Sequence, residues 1–414
     1  MFESIYLLLA IAALFSFIVV RYLKLPLTIG LMILGMILSV LIMSIRYFDA
    51  ELISHPPRIF ENLDFHDFLM KGVLGFLLFS GAVHIDVQAL DKERLPVFIF
   101  AILGTIISTL VVGVAAYFVF GWLGINIPLL YCLLFGALIS PTDPIAVLSI
   151  FKNYNISPAI KMRIEGESLF NDGIGIVIFI VLLQLIIAGS EGFSLMQTGL
   201  LFLREAVGGI LFGLLLGLGG LYFLKQLMNE PKTAVLITLV ISTGGYVLAN
   251  AIEVSGALAM VAAGLTIGNW VHRYAGYNIK TLMKVFWEIV DEIFNSMLFV
   301  LMGLAIVLID SEVINIYASL FVIFIVLMAR YVSVSFSSIL IRPKGRQRER
   351  MNNKTIVLMT WSGLRGALAF ALALSLTDEP YGHFFIFLTY SVAAFSIIVQ
   401  GLTIGKLVKV LYKR

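Results

Sequence analysis

Residues 140–147 read Ser-Pro-Thr-Asp-Pro-Ile-Ala-Val, and they interrupt an apolar stretch that extends from about residue 127 to residue 150. Pro141 and Pro144 each remove a backbone donor and crowd the preceding turn, so the pair predicts a local break in the helix. Carbonyls freed in apolar surroundings are tolerated only where they line a wet cavity or bind an ion. Asp143 lies between the prolines, which makes this stretch a candidate ion site. The alternative is a simple kink with Asp143 as a cap.

The composition places most of the chain in lipid. Hydrophobic residues make up 60% of the 414 residues and charged residues only 13%, against roughly 25% in an ordinary soluble protein. So few charges cannot cover a water-facing surface, and the sequence therefore predicts an all-α polytopic membrane protein. A net charge of +3 without a basic face excludes a nucleic-acid binder. The single cysteine, Cys132, excludes a disulfide scaffold and a Cys/His zinc site.

Apolar stretches that could cross the membrane as helices recur thirteen times. A helix needs ~20 residues to cross the hydrocarbon core. The predicted spans lie at about residues 4–21, 25–45, 67–87, 97–121, 127–150, 163–188, 195–224, 233–252, 256–271, 285–308, 313–340, 354–376 and 383–405. We predict one transporter domain, 1–414, with inverted six-helix repeats at about 1–188 and 233–414 that are linked by span 7 at about 195–224.

The distribution of positive charge predicts the orientation. With the N-terminus outside, most of the 28 Lys and Arg residues fall in inner loops and the C-terminal tail, whereas Arg46, Arg58 and Lys71 fall outside. Positive charge is enriched on the cytoplasmic side of membrane proteins. The sequence therefore predicts an outside N-terminus and a cytoplasmic C-terminus.

Span 6 carries polar residues at helical spacing. Ser168 and Asp172 are four residues apart and Asn171 is three residues from Ser168, so the three share a face, with Glu167 at its edge. Carboxylate, amide and hydroxyl oxygens are hard ligands that suit a small cation. The alternative is an interhelical hydrogen-bond network that binds no ligand.

Span 12 contains a second set of unusual residues, Gly363-Leu364-Arg365-Gly366-Ala367. The two glycines permit a backbone break or a close helix approach beside Arg365. A guanidinium in mid-membrane needs an acidic partner, for which Glu167 is the first choice, and this leaves Asp143 and Asp172 for the substrate. In the alternative interpretation Arg365 is the counter-ion of an anionic substrate, but three acids against one arginine favour a cation.

Spans 5 and 12 run in opposite directions because they are seven spans apart. Interrupted helices at matching positions of two inverted halves indicate a secondary transporter with a site at the midplane. Other charged residues are weaker candidates. Asp291, with Glu288 and Glu292, is interpreted as interfacial at the start of span 10, and Arg330 as a member of a structural pair or a cavity wall.

With these residues in place, the chain resembles NhaP-type sodium/proton antiporters of the cation/proton antiporter 1 family, which are relatives of the animal sodium/proton exchangers. The resemblance rests on residues 142–144 (Thr-Asp-Pro), 167–172 (Glu-Ser-Leu-Phe-Asn-Asp) and 363–367 (Gly-Leu-Arg-Gly-Ala), and on their order and spacing. Each motif alone is weak, but the three together are specific, and the resemblance spans essentially the whole chain.

The resemblance implies a homodimer of thirteen-span protomers, each with a mobile six-helix core. It implies that Asp172 is the main carrier of the ion and the proton, and that Asp143, Ser168 and the Thr142 carbonyl complete a Na+ site with it. Asn171 would position the unwound span 5, and Glu167 would pair with Arg365.

One position departs from the family pattern. Some members carry a span 3 acid that contributes to the site, whereas the aligned residue here is Ser80, which puts the ion preference in doubt. The chain also has no long regulatory tail of the animal type. This favours the plasma (inner) membrane of a prokaryote and a role in pH homeostasis.

The sequence therefore predicts an electroneutral Na+/H+ antiporter, also open to Li+, that works by alternating access at Asp172. The runner-up is a K+/H+ antiporter of the same fold. A cation channel and an organic-anion symporter with Arg365 as the ligand are weaker alternatives. We expect no enzymatic activity and no cofactor, since exchange needs no nucleotide and the sequence contains no phosphate-binding loop.

Overall fold

The computed structural model describes residues 2–48, 68–154, 156–188, 195–227, 229–309, 315–341 and 351–412. Regular structure in these residues is helical, apart from one isolated antiparallel bridge between Asp143 and Leu364. The α-helices are α1 (Phe2–Ile18), α2 (Leu27–Phe48), α3 (Leu74–His84), α4 (Val87–Phe98), α5 (Gly104–Trp122), α6 (Leu129–Ile139), α7 (Ile145–Phe151), α8 (Pro158–Ala188), α9 (Leu195–Gln226), α10 (Pro231–Ala251), α11 (Gly256–Tyr274), α12 (Tyr277–Leu304), α13 (Ile316–Leu340), α14 (Asn353–Trp361), α15 (Ala367–Leu374), α16 (Gly382–Phe395) and α17 (Gly401–Leu411). Short π-helical or 3-10 segments adjoin some of them, at Val19–Leu23, Phe68–Val73, Ile99–Leu103, Ala305–Leu308 and Ser396–Gln400. The prediction of an all-α fold is confirmed for the described residues.

The helices are long and apolar, as a membrane protein requires. Within the described residues, nine helices have the length and composition to cross a membrane. Shorter, less apolar or broken helices occupy the positions of the other predicted spans. The clearest boundary error concerns span 10, because α12 begins at Tyr277 rather than near residue 285.

Both predicted helix breaks are present. The chain leaves helical structure after Ile139, where the prolines follow, and α7 begins at Ile145. In the second case α14 ends at Trp361 and α15 begins at Ala367, with the two glycines in between. Spans 5 and 12 are therefore each divided into two short half-helices.

Helix α8 is central to the arrangement that positions the site. It packs against α4, α6, α9 and α11, and it carries the polar residues predicted for span 6. Small residues allow close approach nearby. A Cβ on Gly264 or Gly268 of α11 would lie 2.8 Å from the Phe79 carbonyl or 2.6 Å from the Val83 carbonyl of α3. The backbones of α3 and α11 are therefore in direct contact.

Candidate cation-binding site

The two broken helices cross at their breaks. The Asp143 N–H donates a hydrogen bond of 2.8 Å to the Leu364 carbonyl, and this contact forms the isolated bridge. Four half-helix ends, with their partial charges and unpaired backbone groups, therefore meet at one place. The breaks predicted separately from prolines and from glycines form a single structural feature.

Arg365 binds backbone carbonyls at this crossing. Its Nη1 donates to the Ser140 carbonyl and, at 3.0 Å, to the Pro141 carbonyl, and the residue is only 1% exposed. These carbonyls lie at the C-terminal end of α6, where the helix dipole is negative and where a cation is stabilised. The prediction that Arg365 pairs with Glu167 is therefore wrong. The sequence predicted a carboxylate partner for this guanidinium, whereas the backbone carbonyls at the break are the acceptors.

Glu167 pairs with Arg330 instead. Arg330 of α13 binds it in a bidentate arrangement, in which Nη1 donates to Oε1 and Nη2 donates to Oε2 at 3.0 Å. Both side chains are buried, with 7% and 2% exposure. A Cβ on Gly363 would lie 2.6 Å from Arg330 Nε, so the glycine makes room for this guanidinium. The sequence indicated that Arg330 was unusual, as a charge inside span 11, but it gave no partner.

Ser168 and Asn171 hold the unwound segment of span 5 against α8. Ser168 Oγ donates to the Thr142 carbonyl. Asn171 Nδ2 donates to Thr142 Oγ1 at 2.9 Å, and its Oδ1 accepts from the Thr142 N–H at 3.5 Å. The structure thus brings together the polar face of span 6 and the break of span 5, as the helical spacing predicted.

Asp143 and Asp172 face the same cavity, which has a volume of about 550 Å³ and is also lined by Thr142 and Ser168. Asp143 Oδ1 accepts a hydrogen bond of 2.9 Å from the Ile145 N–H. Asp172 has no hydrogen bond or ion pair with any side chain in the part of the chain that the structure describes. The Asp172 carboxylate is therefore available to a cation or a proton.

The cavity reaches the surface at one end. Lys152, which is exposed, and the partly exposed Lys161 and Glu165 belong to its wall. Water and ions can therefore approach the two aspartates from the side on which α7 ends and α8 begins. Carboxylate, hydroxyl and carbonyl oxygens of the residues in this wall are the ligands that a hard monovalent cation requires.

The cavity also contains residues that sequence reasoning did not assign to it. Asp291 and Asn295 of α12 both lie in its wall. The interpretation of Asp291 as interfacial is wrong. Span 10 was predicted to begin at about residue 285, whereas α12 begins at Tyr277, so Asp291 lies in the middle of a 28-residue helix. Ser80 is fully buried and donates to the Trp287 carbonyl at 3.0 Å, so it contributes to the packing of α3 on α12.

We expect Gly366→Ala to impair the site. A Cβ at this position would lie 2.5 Å from Asp143 Oδ2 and 2.6 Å from Asp143 Cβ, so the aspartate or the break must shift. Overpacking of this kind costs about 1–3 kcal/mol. The thermal unfolding temperature of the purified protein and its ion-driven proton flux should both fall. Gly219→Ala is the matched control, because nothing lies within 4 Å of its added Cβ. Wild-type values for both quantities in Gly366→Ala would contradict this account of the crossing.

Comparison with known proteins identifies similar sequences and a similar fold. The sequence model of the family described as "Sodium/hydrogen exchanger, transmembrane" matches residues 7–410. The Na(+)/H(+) antiporter NhaP of Pseudomonas aeruginosa is 36% identical over 405 residues, which cover 97% of this chain and 95% of that protein. The Na(+)/H(+) antiporter NhaH of Halobacillus dabanensis is 34% identical over 416 residues, with 99% and 97% coverage.

A solved structure has the same fold. The sodium proton antiporter MjNhaP1 from Methanocaldococcus jannaschii superimposes with a TM-score of 0.77 at 20% sequence identity, and the alignment covers 100% of this chain and 99% of that one. The predicted resemblance therefore extends over the full length, both in sequence and in fold.

Proposed function

The chain belongs to the transmembrane sodium/hydrogen exchanger family, and on this premise we propose that it exchanges Na+ for H+ across the membrane at Asp172. The family is one of multi-pass membrane transporters, not of enzymes. The relatives reported above are named Na+/H+ antiporters, so the K+/H+ alternative is not favoured. The observation that carries the proposal is the Asp172 carboxylate, which faces the cavity and has no hydrogen-bond or ion-pair partner among the described residues.

Asp172 carries the exchanged ion in this proposal because its charge is otherwise uncompensated. An ionised carboxylate away from bulk water is costly unless it is paired, so Asp172 is stabilised either by a proton or by a cation. The two ligands compete for one group. Competition at a single site, followed by movement of the loaded core, couples the fluxes of Na+ and H+ without any energy source besides their gradients.

The ligands that we propose for Na+ are the carboxylates of Asp172 and Asp143, Ser168 Oγ and the Thr142 carbonyl. All four residues line the cavity. Asn171 contributes by fixing Thr142, and Arg365 by stabilising the end of α6. Li+ is a further substrate in this proposal, because the same hard oxygen ligands suit it.

The architecture proposed for the intact transporter follows the sequence. It has thirteen spans in two inverted six-helix repeats that are joined by span 7, and it assembles as a homodimer in the plasma (inner) membrane of a prokaryote. The N-terminus is outside and the C-terminus is cytoplasmic. With this orientation the cavity, which reaches the surface near Lys152, faces the cytoplasm. Such a transporter would serve pH homeostasis.

Ion-driven proton flux in proteoliposomes tests the function. Purified protein is reconstituted with an internal pH dye, and NaCl, LiCl or KCl is then added outside. We expect the inward flux of Na+ or Li+ to drive protons out of the liposomes, so that the lumen becomes more alkaline. Addition of K+ should have little effect on the internal pH. Flux with K+ but not with Na+ would replace the proposal with the K+/H+ alternative, and current far above carrier turnover would indicate a channel.

We expect exchange to be electroneutral, with one cation for one proton. Asn171, next to Asp172, has an amide side chain that cannot titrate, and Arg330 binds Glu167 in a bidentate arrangement. The prediction takes Asp143 as ionised throughout the cycle, with its Oδ1 accepting a hydrogen bond of 2.9 Å from the Ile145 N–H. One titrating carboxylate then exchanges one charge for one charge. The initial flux should be the same at zero potential and under a potential set by K+ and valinomycin. A potential-dependent sodium distribution at equilibrium would show that a second carboxylate titrates, with Asp143 the first to be tested.

A further inference from the structure

Besides Glu165 near the opening, a further carboxylate lies in the wall of the cavity that contains Asp143 and Asp172. Asp291 of α12 is partly exposed there, and no ion pair involving it exists within the described ranges of the chain. The turn of α12 before Asp291 is fixed to α3, because Ser80 Oγ donates to the Trp287 carbonyl at 3.0 Å. Asp291 therefore extends into the cavity from a firmly packed helix.

Asn295 lies one helical turn beyond Asp291, on the same face of α12. It is 8% exposed and belongs to the cavity wall, and its side-chain amide lies beside the Asp291 carboxylate. An amide that faces one oxygen of a carboxylate leaves the other oxygen free for a cation, so Asn295 orients the Asp291 carboxylate in the cavity wall.

The neighbouring acids of α12 behave differently. Glu288 lies 3.7 Å from Lys284, and both side chains are more than half exposed. Glu292 is exposed and does not line the cavity. These two residues fit the interpretation of solvated charges at a helix surface. Asp291 does not, because it combines a cavity position with the absence of a cationic partner within the described residues.

We propose that Asp291 and Asn295 form a second binding position for a hydrated monovalent cation, which receives Na+ in the cavity before it reaches Asp172. This inference rests on the proposed antiport function. A wall that carries negative charge raises the local concentration of cations, and low-dielectric surroundings strengthen the effect. The position lies outside the group of ligands around Thr142, so its role is capture of the cation rather than exchange with the proton.

The test is the dependence of proton flux on Na+ concentration in proteoliposomes. We expect Asp291→Asn and Asp291→Ser to raise the apparent KM for Na+ by roughly tenfold or more, which is the lower end of the focusing effect of a charged cleft. Turnover at saturating Na+ should change much less than KM. Asp291→Glu retains the charge and should have a KM close to that of the wild type. The difference in apparent KM between the wild type and Asp291→Asn should become smaller at high ionic strength, because added salt screens the attraction between Asp291 and Na+.

Glu292→Gln is the matched control, since it removes the next charge along the same helix from a residue outside the cavity. A folded Asp291→Asn or Asp291→Ser protein with the wild-type KM overturns the inference. So does an equal rise of KM in Glu292→Gln, because the effect would then reflect the surface charge of α12 as a whole. Absence of Na+-driven flux in the wild type would contradict the proposed function itself, and the two failures are therefore distinguishable.

Discussion

Replacement of Asp172 by asparagine is expected to reduce Na+-driven proton flux to the level of empty liposomes while leaving the fold intact. The amide has nearly the same shape as the carboxylate, but it neither takes up a proton in this range nor supplies the negative charge that holds Na+. Asp172 makes no hydrogen bond or ion pair within the described residues, so the substitution breaks no contact that stabilises the protein there. The purified variant should elute and unfold as the wild type does.

Thermal unfolding gives a second measurement for the same variant. A ligand that binds only the folded protein stabilises it, by about 1.4 kcal/mol when its concentration is ten times the Kd. Added Na+ should therefore raise the unfolding temperature of the wild type but not that of Asp172→Asn. Asp91→Asn is the control, since Asp91 is 70% exposed and is not among the residues that line the cavity. Retention of flux and of Na+ stabilisation in Asp172→Asn would assign the ion to another residue.

The largest effect on stability is expected at the pair between Glu167 and Arg330. Removal of one partner leaves an uncompensated buried charge, which should cost about 3–5 kcal/mol. Glu167→Leu and Arg330→Met should each lower the unfolding temperature strongly. The double variant should lose much less than the sum of the two, because it leaves no unpaired charge. Simple additivity in this double-mutant cycle would show that the pair is not formed.

The chain provides a matched control for this cycle. Arg204 lies 2.8 Å from Glu253, but both side chains are more than half exposed. Exposed ion pairs of this kind contribute roughly 0–1 kcal/mol. Substitution of either partner should therefore change the unfolding temperature only slightly, which separates the effect of burial from that of charge alone.

The features that could be predicted from the sequence are those that depend on local backbone chemistry. Pro141 and Pro144 cannot continue an ordinary helix, so the break between α6 and α7 could be predicted without knowledge of any contact. The shared face of Ser168, Asn171 and Asp172 follows from helical spacing alone, since a helix returns to the same side after three or four residues. Both predictions describe neighbours along the chain.

The choice of partner for each arginine could not be predicted in this way. Backbone carbonyls at a helix break are strong acceptors, but every residue has one, so the sequence does not indicate that Ser140 and Pro141 would bind Arg365. The assignment of Glu167 to Arg330 depends on the packing of α13, which hydropathy does not report. Asp291 was misplaced for another reason, because hydropathy locates the apolar part of a helix and misses its polar first turns.

The unexpected binding of Arg365 by carbonyls has a consequence for leakage. Five charged residues lie at or near the crossing, namely Arg365, Arg330, Glu167, Asp143 and Asp172. No acid in the described part of the chain forms an ion pair with Arg365. When all five are ionised, this group has one negative charge in excess, and a single Na+ or a single proton removes it. In the proposed mechanism this group is neutral when the site is loaded, whereas in the empty site it is an anion, which is costly to carry across a low-dielectric barrier. In the proposed mechanism, slippage, in which the core returns without cargo, is therefore disfavoured by the net charge of this group.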